Sequence, residues 1–143
     1  MAEPAIAPVP LALRSAGVMY LALGLGFGIG GAITLDHHRR TGELPMTPWG
    51  FRSLAGGPFE QLTLEQFAAL GWALVGVCAV DAVAGILLLQ GRRRGATLGL
   101  ATDPIAIVLG TGFALPFLLA GIPMRAALVL AGRKAWRWIP HRT

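Results

Sequence analysis

The sequence predicts an all-α integral membrane protein, a bundle of four transmembrane helices forming a single domain over residues 1–143. Three observations predict it. Of 143 residues, 55% are hydrophobic and only 13% charged, against roughly a quarter in soluble domains, and the mean hydropathy is +0.64. The apolar residues fall into runs long enough to cross a bilayer core, which takes about 20 residues. The basic residues between those runs are unevenly divided between the two sides that a four-span threading creates.

The first apolar run covers about 15–35, behind a Pro-rich N-terminus. It is read as a retained span rather than a cleaved signal peptide. The second covers 64–89 and has a start signal: Thr63 with Gln66 three residues later is a capping-box pattern, which satisfies two free N–H groups at a helix start.

The stretch 95–132 is almost wholly apolar and would make a single helix of about 57 Å, too long for one span. A tight hairpin resolves this, giving spans at 95–111 and 113–132. Gly110-Thr111-Gly112 supplies the turn, with Pro116 just beyond. The alternative is three spans plus a C-terminal basic helix lying on the membrane surface. The positive-inside rule separates the two. With four spans, Arg14, Arg92, Arg93, Arg94, Arg133, Lys134, Arg137 and Arg142 share one side, and Arg39, Arg40 and Arg52 the other. Both termini are then cytoplasmic and the loop 36–63 is outside. Pro45, Pro48, Pro58 and Gly56-Gly57 oppose a regular helix through much of that loop. Trp49, Phe51 and Phe59 suit the headgroup level, as do Trp136 and Trp138 on the inner side.

The net charge of +5 rests on arginine, with Lys134 the single lysine. Clusters flanking apolar runs indicate anionic lipid rather than nucleic acid. The Ala, Gly, Pro and Arg usage resembles that of a GC-rich bacterial genome, so the expected location is a bacterial inner membrane. Cys78 is the only cysteine, which excludes an intrachain disulfide and a CxxC site; it reads as a small packing residue. No nucleophile–base motif, HExxH, P-loop or zinc spacing is present. The reading is therefore non-enzymatic and calls for no cofactor.

Residues 26–31 match GxGxxG, but inside a span there is neither a preceding strand nor a solvated helix start for a pyrophosphate. The pattern reads instead as small-xxx-small packing by Gly24 with Gly28 and Gly26 with Gly30. The partner is a helix of this chain, a second copy or another subunit. At 36–40 the sequence is Asp-His-His-Arg-Arg. Adjacent histidines on a helix diverge by about 100° and the arginines repel a cation, so His37 and His38 are weak metal candidates.

Three ionisable residues fall inside spans, Asp81, Asp103 and Arg125, and such residues are costly and functional by default. Counting from the inner helix ends puts all three about 10–12 Å deep, with Tyr20 at a similar level. The expected arrangement is a buried cluster in which Arg125 bridges Asp81 and Asp103, with Tyr20 donating a hydrogen bond. Two acids against one arginine leave a surplus negative charge, which invites a proton or cation. Pro104 after Asp103 removes a helix hydrogen bond near Leu100.

These features support an accessory or self-associating membrane subunit that acts by helix packing, with membrane lipids and other subunits as partners. Two alternatives are a small-solute, proton or cation transporter or channel built on the charged cluster, and a lipid-binding or lipid-modifying protein using the same pocket.

Overall fold

The computed structural model describes residues 8–136. Arg137, Trp138, His141 and Arg142, and the side chain of Trp136, lie outside the described residues. The protein is all-α, with α1 at Leu11–Thr41, α2 at Leu64–Leu89, α3 at Arg93–Gly112 and α4 at Pro116–Trp136, plus a short 3-10 turn at Pro58–Gln61. A sheet or barrel is excluded: β pairing among the described residues is one isolated antiparallel bridge between Met46 and Arg52.

The helix ends follow from local chemistry. Helix α1 outruns the apolar stretch 15–35 at both ends. It starts just after Pro10, whose carbonyl accepts from the Leu13 and Arg14 N–H groups. At the other end Asp36 pairs with Arg40 at 2.8 Å, and His38, Arg39 and Arg40 occupy the last turn, where positive charge complements the helix dipole. Gly42, at φ 75°, closes the helix with its N–H on the His38 carbonyl.

Helix α2 begins on the Thr63 capping box, with the Gln66 N–H on Thr63 Oγ1 and the Thr63 N–H on Gln66 Oε1, both 3.3 Å. It ends where Gly91 takes φ 73° and the Arg92 N–H reaches back to the Leu87 carbonyl at 2.8 Å. Between α3 and α4 the chain reverses in three residues. Ala114 sits at φ 50°, and the Leu115 N–H bonds the Gly110 carbonyl at 2.8 Å. Pro104 and Pro123 lie inside α3 and α4, which continue through them as single helices.

The helices pack as α1 on α2, α2 on α3, α3 on α4 and α4 back on α1. Neighbours run antiparallel, because residue numbers rise along one helix as they fall along the other: Gly17 meets Gly85, Gly24 meets Cys78 and Ala82, and Gly71 meets Leu35. Two apolar cores result. One lies toward the long loop and includes Leu35, Phe67, Leu74, Phe113 and Leu118. The other lies toward the chain ends and includes Leu13, Leu88, Ala96 and Val129.

The outward faces are also apolar, with Val18, Ile29, Ile33, Val83, Ile105, Val108 and Leu130 all exposed. Among the described residues, α1, α2 and α4 are long and apolar enough to cross a membrane. Helix α3 is not among them; Asp103, Pro104 and several Gly and Thr residues interrupt its apolar run.

A buried ion cluster as the candidate functional site

Each helix contributes to one polar group: Tyr20 from α1, Asp81 from α2, Thr102 and Asp103 from α3, and Arg125 from α4. Arg125 and Tyr20 are fully buried, Asp81 is 1% exposed, Asp103 6% and Thr102 8%. Charges removed from solvent this completely persist only when paired and hydrogen-bonded.

Arg125 is the hub. Its Nε and Nη2 both donate to Asp103 Oδ1, at 2.9 and 2.7 Å. Its Nη1 stands 2.7 Å from Asp81 Oδ2. That second contact is an ion pair without a directed hydrogen bond, because Nη1 has no partner of acceptable angle. The Tyr20 ring lies under the guanidinium, 4.2 Å from Cζ to the ring centroid, a cation–π contact. The Tyr20 hydroxyl donates to Asp103 Oδ2 at 3.0 Å. The remaining oxygen, Asp81 Oδ1, is 2.6 Å from Thr102 Oγ1, which is itself 2.9 Å from the Gly99 carbonyl. All four carboxylate oxygens therefore touch a protein group.

The structure brings Tyr20, Asp81, Asp103 and Arg125 into one constellation. Sequence reasoning missed Thr102 and Gly99. Adjacent residues on a helix diverge by about 100°, so Thr102 meets α2 while Asp103 meets α1 and α4. Gly99 makes room for Tyr20: a Cβ there would lie 2.6 Å from Tyr20 Cζ. The signal for Thr102 is a hydroxyl beside an acid in an apolar run. Nothing in the sequence marks Gly99.

The other singled-out residues lie elsewhere. Gly24 packs against α2, where a Cβ would sit 2.6 Å from the Cys78 carbonyl oxygen, and Gly28 faces the Cys78 side chain. Gly26 and Gly30 have open space beside them. Cys78 is a buried free thiol. His37 is exposed, and His38 turns edge-on to Phe67 with ring centroids 5.6 Å apart. No group of three or more His, Cys, Asp or Glu among the described residues could hold a metal ion, and no catalytic motif is seen.

No protein-family model matches the chain, and neither does any curated protein or solved structure.

Proposed function

We propose that the chain is a multi-pass membrane protein that moves protons across the bilayer through the Asp81–Arg125–Asp103 cluster. One observation carries this reading: the cluster is sealed, all its carboxylate oxygens are in contact with protein, and its formal charge with both acids ionised is −1. An unbalanced buried charge is expensive. A solute or metal ion would need room and free ligands, whereas a proton needs neither.

The Thr102 hydroxyl supports the same reading. It has one proton and stands within bonding distance of two oxygens, Asp81 Oδ1 and the Gly99 carbonyl. A carbonyl only accepts. If Asp81 carries a proton and donates it to Thr102, then Thr102 donates to Gly99, and both contacts are satisfied while the cluster becomes neutral. Asp81 is then the proton carrier, Asp103 the fixed counter-ion of Arg125, and Thr102 a positioning residue. Pro104 beside Asp103 and Pro123 two residues before Arg125 each delete a helix hydrogen bond, giving α3 and α4 places to flex when the charge changes.

In this reading α3 is a fourth span. It is about 30 Å long, and its Ile105, Ile107 and Val108 are exposed, as a lipid-facing side requires. The chain ends are cytoplasmic, because Arg14, Arg92, Arg94, Arg133 and Lys134 lie at the end opposite Arg39, Arg40 and Arg52; the compartment is a bacterial inner membrane. With Cys78 replaced by Ser, a cysteine introduced at Thr47 should react with a membrane-impermeant maleimide on whole cells, and one at Gln90 only after lysis. The reverse pattern would overturn the orientation.

The function itself is tested by reconstitution into liposomes enclosing a pH-sensitive dye. An imposed proton gradient should dissipate faster than in empty vesicles, and Asp81→Asn should abolish the difference while leaving helical content unchanged. The infrared carboxylic-acid C=O band should also vanish in Asp81→Asn, which leaves a single acid against Arg125. Wild-type vesicles no leakier than empty ones would sink the proposal.

A second reading, self-association, is supported by Gly26 and Gly30, which lie open on α1 beside exposed Leu25, Ile29 and Ile33. Gly24 and Gly28 are already used within the chain, so that reading has half the packing motif left to it.

A further inference from the structure

Away from the cluster, a cavity of about 380 Å³ opens where the long loop meets the ends of α1 and α2. Its charged lining is Glu43, Arg52 and Glu60, its apolar lining Leu44, Leu62, Leu64 and Phe67, and His38 stands among them. His38 Nδ1 is buried and has no hydrogen-bond partner, while the ring is held edge-on to Phe67.

The charged residues sit on fixed backbone. Arg52 is held by the bridge to Met46 and by the neighbouring Ser53 N–H on the Pro45 carbonyl at 3.0 Å. Glu60 belongs to the 3-10 turn, and its Oε2 accepts from the Gly56 N–H at 2.8 Å. None of Glu43, Arg52 and Glu60 is ion-paired among the described residues. Two acids and one guanidinium thus line a single cavity without neutralising each other, beside an apolar wall.

We infer that this cavity binds a zwitterion joining a primary ammonium to an anionic phosphate, the ammonium between Glu43 and Glu60 and the phosphate at Arg52. The apolar wall takes the carbon chain attached to the phosphate. This chemistry comes from two sources, the headgroup of an ethanolamine phospholipid or a free phosphoethanolamine. The loop favours the lipid: Met46, Trp49 and Phe51 are 65%, 80% and 71% exposed and form an apolar tip suited to the headgroup layer. The site shares no residue with the cluster, so it stands independently of the proton-transfer reading.

The test follows the His38 imidazole resonance by NMR in the purified full chain at fixed pH. Four probes are titrated: phosphoethanolamine, dihexanoyl-phosphatidylethanolamine, dihexanoyl-phosphatidylglycerol and ethanolamine. Saturable shifts with the phosphatidylethanolamine alone identify a lipid site, and shifts with both ethanolamine phosphates show that the headgroup suffices. Arg52→Gln and Glu60→Gln, both exposed and so compatible with folding, should each raise the Kd roughly fivefold, while Asp81→Asn leaves it unchanged. The inference is overturned if neither zwitterion shifts His38 saturably. It is equally overturned if phosphatidylglycerol or ethanolamine binds as tightly, or if the Arg52 and Glu60 variants keep wild-type affinity.

Discussion

Arg125 is the residue on which the interior depends. It is fully buried and stands within reach of two carboxylates. Replacing it with Met should destabilise the protein by about 3–5 kcal/mol, because Asp103 loses its counter-charge in a dry interior. Arg125→Lys keeps the charge, but a single ammonium cannot reproduce the fork that holds Asp103 and Asp81 together, so it should recover only part of the loss. Tyr20→Phe keeps the ring beneath the guanidinium and removes one hydrogen bond, costing about 1 kcal/mol. Reversible unfolding in mixed micelles orders these variants; an Arg125→Met protein as stable as wild type would show that the acids are neutral without it. At this scale the charged members were legible, because a charge in an apolar run has few explanations. Thr102 was not: a threonine in such a helix ordinarily satisfies itself on the carbonyl one turn back, and only α2 reveals its second contact.

At the scale of the element, α1 and α2 form the tightest pair, and backbone proximity explains it. A Cβ on Gly24 would lie 2.7 Å from the Ala82 nitrogen, and one on Gly85 would lie 2.6 Å from the Gly17 carbonyl oxygen. Gly24→Val should therefore separate the helices and cost about 1–3 kcal/mol, whereas Gly26→Val, facing open space, should leave stability within about 0.5 kcal/mol. Thermal unfolding followed by circular dichroism distinguishes them, and equal effects at the two positions would contradict this packing. The small-xxx-small spacing was legible in the sequence; its partner was not, since Gly17 and Gly85 pair across 68 positions of chain. The Thr63 capping box was readable as residue types at fixed spacing. The far end of α1 was not readable from hydropathy, because Gly42 and the Asp36–Arg40 pair set it, and neither is apolar.

For the whole molecule, hydropathy and charge distribution established an all-α membrane-type chain but left α3 ambiguous. Its centre carries Thr102 and Asp103, both buried, so part of its polarity reflects what it contributes to the interior. A reversal in this stretch was legible, but not its position: Gly110-Thr111-Gly112 stay helical in α3. The turn falls at 113–115 with Ala114 in the left-handed position, and Gly112 instead receives the ring of Phe59.

The cluster draws one partner from every helix, and that has a consequence for biosynthesis. The ribosome makes Tyr20, Asp81 and Asp103 before it makes Arg125. Until α4 is made, the nascent chain holds both acids of the cluster without the base that meets them. Assembly of the cluster is therefore completed by α4, the last of its four helices to emerge, which acts as the latch. A chain halted before Pro116 should be cleared by membrane proteases within a pulse-chase, and co-expressing 116–143 as a separate peptide should rescue it. Rescue should fail if that peptide carries Met at position 125.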